Sequence, residues 1–233
     1  MFMPYMFFDK TYILVIIGVA ISAWASSYVN STYRKFEKVA NKKGLKASDV
    51  ARMILRDAGI REVPVQEISG DLTDNYNSHT KILSLSERVS ESRSVSAIGV
   101  AAHECGHAIQ DQVGYIPLKL RSGLVPVVNF GSAISIPLIL IGAIFFSSTP
   151  LLVTIGIWCF ALTFLFQVVT LPVEFNASRR ALAILEENQA LDDEELVMAR
   201  KVLTAAALTY VAAAIASLLQ VLRLVILFGN RRD

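Results

Sequence analysis

The chain has 233 residues, of which 54% are hydrophobic and 18% charged, with two cysteines and a net charge of +2. Soluble domains have about 45–50% apolar and about 25% charged residues, so this composition, with a mean hydropathy of +0.50, excludes a disordered chain and argues against a soluble globular domain. The small net charge excludes the overall basic field of a nucleic-acid binder. Two cysteines are too few for a disulfide framework. From the apolar composition we predict an integral membrane protein.

Four apolar segments are close to the length of about 20 residues that a helix needs to cross a bilayer. Residues 11–29 follow a single lysine, and we predict a retained anchor rather than a cleaved signal peptide. Residues 124–146 and 151–171 are separated by only four residues and predict a helical hairpin. For residues 205–228 we favour a fourth span, because Arg223 near the helix end can reach water, over a helix that lies against the others or at the interface.

Positive charge indicates the orientation of these segments. Fourteen of the 22 Lys and Arg lie in residues 30–122 and four in residues 172–203. Because cytoplasmic segments carry the excess of Lys and Arg, we predict both polar segments in the cytoplasm and both chain ends outside. The basic tail with Arg231 and Arg232 fits this arrangement poorly. The predicted segments are an anchor at residues 1–30, a first polar segment with the H-E-x-x-H helix at 31–122, a membrane hairpin at 123–171, a second polar segment at 172–203, and a last membrane or interfacial helix at 204–233.

Two helices are predicted in the first polar segment. Ser48 is suited to cap a helix that reaches Asp57, with Gly59 just past its end. A second helix is predicted between Ser94 and Gly114, where apolar residues recur at helical spacing.

Short strands are predicted between these helices. Residues 63–68 alternate between apolar and polar and predict one strand. Residues 72–76 and 81–85 flank a turn at Asn77 and Ser78 and predict a hairpin. The predicted fold class is therefore an α+β membrane protein, mostly helical, with about four transmembrane helices and a small water-exposed unit.

The second predicted helix contains the pattern H-E-x-x-H at residues 103–107. Residues four apart lie on one face of a helix, so His103 and His107 can bind one zinc ion while Glu104 faces a water bound to the metal. The chain has only three histidines, and two of them in this spacing argue against a chance match. Gly106 is small enough to let another element approach. We predict a metal site.

A catalytic zinc site usually has three protein ligands and one position for water. No histidine follows His107, so the third ligand is expected to be a carboxylate or a thiolate. Asp111 is eight residues from His103, about 12 Å along the helix axis, and Cys105 points to another face. The acidic residues within 186–195 are expected to form a solvated face.

Glu174 is the remaining strong candidate for the third ligand. It follows Pro172, where a helix is predicted to begin at the cytoplasmic edge of the third span. The predicted membrane hairpin returns this point of the chain to the side of His103.

Four short motifs resemble those of a known family. The motifs are L-T-D-N-Y at 72–76, L-S-E at 85–87, A-A-H-E-C-G-H-A-I-Q at 101–110 and L-P-V-E-F-N-A-S at 171–178. They resemble the bacterial YugP-type neutral zinc metallopeptidases, and E-F-N-A-S is similar to the E-F-x-A-D motif of the HtpX and CAAX-prenyl-protease type of membrane gluzincin. The resemblance covers about residues 30–210. It implies a zincin-like catalytic unit in a bacterial inner membrane protein.

The resemblance also implies roles for individual residues. His103, His107 and Glu174 would bind one Zn²⁺ per chain, a ligand set that also suits iron and cobalt, and Glu104 would be the catalytic base. The sequence departs from the HtpX pattern at Ser178, where an aspartate normally supports the site. The residues that could take over part of this supporting role are Asn176, Ser178 and Arg179.

The implied activity is metal-assisted hydrolysis of peptide bonds. Zinc lowers the pKa of its water to about 7, and a carboxylate base takes the proton during attack on the carbonyl. The hairpin strand before the active-site helix is expected to offer an edge along which an extended peptide lies, with Thr80, Lys81, Ile82 and Leu83 as binding residues. Tyr76 and Arg180 are weaker candidates for an oxyanion donor. Expected partners are peptide or protein substrates, membrane proteins among them, and the lipid bilayer, with no nucleic acid.

Two other functions stay open. An intramembrane protease of the site-two type would place H-E-x-x-H inside a span and would need an aspartate downstream, which the predicted spans lack. A non-enzymatic membrane scaffold or transporter with a structural metal would need four protein ligands and polar groups inside the spans. The sequence indicates neither the physiological substrate nor the oligomeric state.

Overall fold

The computed structural model describes residues 9–145 and 151–229, and within them the chain is mostly helical with one small sheet. The elements in chain order are α1 (Tyr12–Glu37), α2 (Ala47–Asp57), β1 (Val65–Ile68), β2 (Asn75–Asn77), β3 (Ile82–Ser86), α3 (Glu87–Ser90), α4 (Val95–Gln112), α5 (Ile116–Phe145), α6 (Leu151–Glu187) and α7 (Asp193–Phe228). The predicted α+β class is confirmed. The predicted turn at 147–150 and the basic residues Arg231 and Arg232 lie outside the described residues.

Four of these helices are long and apolar enough to cross a membrane, namely α1, α5, α6 and α7. Each overlaps one of the four predicted apolar segments, although Thr11 precedes α1 and residue 146 lies outside the described residues. The fourth segment lies within α7, which is also apolar enough to cross. Helix α6 is continuous through Pro172, so the prediction that a helix begins after this proline is wrong. A proline removes one backbone hydrogen bond, and a long membrane helix tolerates this loss because neighbouring groups satisfy the freed carbonyl.

By its internal contacts the chain divides into two compact units. The first comprises residues up to Ser26, Leu120–Leu171 and residues from Thr209 onward. In it, α5 and α6 approach closely, since a Cβ added at Gly156 would meet the Ser135 carbonyl oxygen at 2.8 Å. Helices α1 and α7 also pack together, with Gly18 against Ala216, and the guanidinium of Arg223 lies 3.2 Å from the Asp9 carboxylate.

The second unit comprises Ser27–Lys119 and Pro172–Leu208 and contains the sheet. The strand order is β1-β3-β2, with β1 parallel and β2 antiparallel to β3. Strands β2 and β3 form the predicted hairpin, but β2 is shorter than the predicted strand at 72–76, and Asn77, which was predicted in the turn, is its last residue. The core packs the sheet against α2, α4, α6 and α7, and its largest fully buried apolar side chains are Ile54, Leu83, Leu85, Ile98 and Leu185.

The ends of α2 and α4 are fixed by different interactions. Helix α2 begins at Ala47, so the prediction of Ser48 as its cap is wrong. The start is fixed instead by a tertiary bond, because the Ala47 N–H donates to the Ser92 carbonyl at 2.9 Å. Helix α4 begins as predicted, with the Ser94 hydroxyl accepting a backbone hydrogen bond, and it ends before Gly114, whose φ of 66° few other residues adopt.

Candidate metal centre

Helix α4 places His103 and His107 one turn apart on the same face. Their ring centroids are 4.7 Å apart and the rings are nearly perpendicular, at 83°. This arrangement follows from the spacing of four residues on a helix. Glu104, between them in sequence, is also buried, at 9% exposure. The helix therefore brings two imidazoles and a carboxylate into one sheltered region.

Helix α6 brings Glu174 to the two imidazoles. Its Oε2 atom lies 3.1 Å from Nε2 of His103 and 3.6 Å from Nε2 of His107. One donor atom from each of the three side chains lies within 4.8 Å of the others. Glu174 is only 1% exposed. The structure thus brings together the three side chains that the sequence singled out as metal ligands.

A glycine allows this approach of α6 to α4. A Cβ added at Gly106 would lie 2.5 Å from the carbonyl oxygen of Ala177, a separation that real Cβ atoms essentially never show. Ala177 is three residues after Glu174, and both are buried against α4. A larger residue at position 106 would hold α6 away and move Glu174 from the histidines.

The second nitrogen of each imidazole has its own partner. Nδ1 of His103 lies 3.1 Å from the Ser178 hydroxyl, and Nδ1 of His107 lies 3.0 Å from Oε1 of Gln110. If each Nδ1 donates its proton to the neighbouring oxygen, each Nε2 keeps a lone pair that faces Glu174. Metal-bound histidines commonly use such a hydrogen bond to fix the tautomer and the ring orientation.

The predicted supporting residues differ in their contacts. Ser178 contacts His103 directly, and Asn176 is joined to His107 through Gln110. Arg179 is exposed. Its neighbour Arg180 instead reaches this region, with Nε donating to Asn176 Oδ1 at 2.8 Å.

Sequence reasoning missed Gln110, which is fully buried. Its signal was available in the spacing, because Gln110 follows His107 by three residues and so lies on the same helix face. The spacing from His103 marks Asp111 only as a poor ligand, whereas in the structure its carboxylate accepts from the hydroxyl of Tyr76 at 2.7 Å. Tyr76 therefore ties β2 to α4, and its hydroxyl is already engaged.

The charges around His107 favour a cation. Burial by itself lowers the pKa of His107, but the hydrogen bond with Glu174 and the negative charge of Glu104 outweigh this effect and raise the pKa. Two imidazole nitrogens and one carboxylate oxygen are also a donor set typical of catalytic zinc sites. The residues present therefore fit a zinc ion.

The strand predicted to bind substrate does not have a free edge. Ile82 and Leu83 lie in β3, the central strand, which is paired with β1 on one side and β2 on the other. The prediction that this strand is an edge is therefore wrong, and Leu83 is completely buried. Thr80 and Lys81 are exposed in the turn before β3, and Lys81 pairs with Asp111 at 2.5 Å. The sequence could not reveal the correct order because the parallel pairing of β1 joins distant segments.

Comparison with known proteins gives two matches. A family model described as "Putative neutral zinc metallopeptidase" matches residues 11–229. The protein named "Putative membrane protease YugP" from Bacillus subtilis (strain 168) is 44% identical over 220 residues, which cover 94% of this chain and 97% of the relative. No solved structure matches.

Proposed function

Because the chain belongs to this family of neutral zinc metallopeptidases, we propose that it is a membrane-bound zinc endopeptidase that hydrolyses peptide bonds in protein substrates. The observation that carries the proposal is the convergence of His103, His107 and Glu174 beside Glu104. Three protein ligands leave a fourth position for water, which is the arrangement of catalytic rather than structural zinc. Among the residues that the structure describes, only these three side chains form such a group, and this count argues against a membrane scaffold with a structural metal.

Each residue of the site has a role in this reaction. His103, His107 and Glu174 hold the zinc ion, which when bound activates a water and polarises the scissile carbonyl. Glu104 takes the proton of the attacking water and passes it to the leaving amine. The burial of Glu104 and Glu174 keeps bulk water from the carboxylates and strengthens their electrostatic interactions.

The sheet suggests where a peptide binds. Strand β2 is an outer strand, and its Asn75 and Asn77 are exposed. Between them, Tyr76 ties β2 to the helix that carries the metal-binding histidines. An extended peptide that pairs with the free edge of β2 would use backbone hydrogen bonds and would tolerate varied side chains. We therefore move the proposed substrate strand from β3 to β2.

The intramembrane alternative has less support. Helix α4, which carries H-E-x-x-H, is not among the four helices of the described residues that are apolar enough to cross a membrane. An intramembrane protease would need this helix to be surrounded by lipid and other spans. The proposed substrates are accordingly protein segments in water, including those of membrane proteins.

The proposed location is the bacterial inner membrane, with residues 31–122 and 172–203 in the cytoplasm. Its support is the excess of Lys and Arg in these segments. The test is a single exposed cysteine, Lys43→Cys, in a chain without Cys105 and Cys159. A membrane-impermeant maleimide should label it only after intact cells are opened. Labelling in intact cells would reverse the proposed orientation.

The activity is tested by zinc content and peptide hydrolysis of the detergent-purified chain. We expect Glu104→Gln to keep one zinc per chain and to lose hydrolysis. Glu174→Ala should lose both the zinc and the hydrolysis. Glu67→Gln is the matched control, because Glu67 is an exposed glutamate on β1. A Glu104→Gln variant as active as the parent would refute the proposed base. Full zinc occupancy in Glu174→Ala would refute the proposed third ligand.

A further inference from the structure

We infer that Gln110 is a positioning residue that sets the affinity of the metal site by joining the two helices that carry the ligands. The inference rests on the proposed zinc site and deepens it. Gln110 is 0% exposed, although glutamine is a polar residue that is mostly found at the surface. A buried carboxamide is costly unless its hydrogen bonds are made. All of its polar atoms have partners within 3.0 Å.

The two ends of the carboxamide contact different helices. Oε1 lies 3.0 Å from Nδ1 of His107, on its own helix α4. Nε2 donates to the Val173 carbonyl at 2.8 Å and to Asn176 Oδ1 at 3.0 Å, both on α6. Val173 immediately precedes Glu174. One side chain therefore contacts a histidine ligand at one end and the backbone next to the carboxylate ligand at the other.

The orientation of this carboxamide is fixed by its neighbours. Two oxygen atoms, the Val173 carbonyl and Asn176 Oδ1, face the NH₂ group, so Oε1 must face His107. Asn176 is held in turn, because its Oδ1 also accepts from Nε of Arg180. If Asn176 turned its amide to present NH₂, it would lose the bond from Arg180. The chain of hydrogen bonds from Arg180 to His107 therefore has one consistent set of donors and acceptors.

This arrangement separates two roles of Gln110 that can be tested apart. A methionine has nearly the same length and makes neither set of hydrogen bonds. A glutamate keeps an acceptor for His107 but has no N–H for Val173 or Asn176. If orientation of the imidazole were the whole role, glutamate would restore metal binding. If the link between the helices is also required, glutamate stays weak.

The experiment measures zinc affinity of the full-length chain in detergent by competition with a chelating dye. We expect Gln110→Met and Gln110→Glu each to bind zinc about 10–100-fold more weakly than the parent, the usual effect of losing a partner of a metal ligand. Gln112→Met is the matched control, since Gln112 is an exposed glutamine on the same helix, and it should bind zinc like the parent.

A second measurement excludes a general loss of folding. The absorption spectrum of the cobalt-saturated protein reports the geometry of the metal ligands, and we expect it to change in both Gln110 variants. A variant that only folds less well would show a lower unfolding temperature without metal and an unchanged cobalt spectrum, and this result would overturn the inference. Parental zinc affinity in Gln110→Met would overturn it too, and restored affinity in Gln110→Glu would overturn the link between the helices.

The outcome does not depend on catalysis. A parent protein that binds zinc but hydrolyses no peptide would contradict the proposed function and leave the role of Gln110 intact. Equal zinc binding by parent and Gln110→Met, with active parent enzyme, would contradict the role of Gln110 alone. A parent that binds no zinc would contradict both.

Discussion

Substitution of Gly106 by alanine tests the contact between the two ligand-bearing helices. The added Cβ would lie 2.5 Å from the Ala177 carbonyl oxygen, and 3.1 Å from its carbonyl carbon and its Cα. These are backbone atoms in the middle of α6, which cannot rotate away as the end of a side chain can. The helices must therefore move apart, and Glu174 on α6 moves with them.

The size of the movement follows from the distances. Ordinary van der Waals contact begins at 3.4 Å, so the helices must separate by about 0.9 Å at this point. A metal site tolerates deviations of only about 0.2 Å in its ligand distances, which predicts loss of Glu174 as a ligand. Overpacking of this kind costs about 1–3 kcal/mol, and the better helix propensity of alanine returns at most about 1 kcal/mol. With that full return of about 1 kcal/mol, we expect a net loss of about 0–2 kcal/mol in stability.

The assay compares zinc content, peptide hydrolysis and thermal unfolding of the parent, Gly106→Ala and Gly99→Ala. Gly99 is the matched control, because it is on the same helix and its added Cβ would meet Ala199 only at 3.7 Å, an ordinary contact. Gly99→Ala should keep zinc and activity. A Gly106→Ala protein with full zinc occupancy and parental hydrolysis would refute the claim that this glycine sets the position of Glu174.

Three further predictions concern single contacts. Ser178→Ala removes the partner of His103 Nδ1 and should weaken zinc binding by about 10-fold or more, with recovery in Ser178→Asp; equal affinities by dye competition would contradict it. Tyr76→Phe removes the hydrogen bond to Asp111 and should lower the free energy of unfolding by about 1 kcal/mol, as measured with denaturant, while zinc binding stays unchanged. Cys105 is completely buried, so iodoacetamide should modify it only after denaturation, and peptide mass spectrometry of the native protein that finds it alkylated would contradict its burial.

Much of the fold could be predicted because the signals are local. Apolar length identified all four long helices, and the Ser94 cap and Gly114 marked the ends of α4 closely. The start of α2 was missed because a tertiary hydrogen bond from the Ala47 N–H to the Ser92 carbonyl, rather than the Ser48 side chain, fixes it. The sheet order was missed for a related reason: Val65 of β1 pairs with Leu83 of β3 across the whole of β2, and hairpin signals identify only the antiparallel neighbour.

In the candidate site, too, the local features could be predicted from the sequence and the tertiary contacts could not. The spacing of His103 and His107 is a local helical signal, and it led directly to their common face. Glu174 lies 71 residues from His103 and could be chosen only by exclusion and by resemblance. The shape of the contact between their helices, including the chain of hydrogen bonds through Gln110, depends on packing that no periodic pattern encodes.

Two short distances constrain the membrane topology independently of charge. Glu174 lies 3.1 Å from His103, so the chain between them crosses the bilayer an even number of times, and α5 and α6 either both cross or both do not. Helices α1 and α7 form a second such pair, because Asp9 meets Arg223 at one end and Phe36 clusters with Val202 at the other. All four helices are long and apolar enough to cross, and in the proposed topology, in which both pairs cross, Asp9 and Arg223 lie on the same side. In that proposed topology the distribution of Lys and Arg assigns the cytoplasmic side.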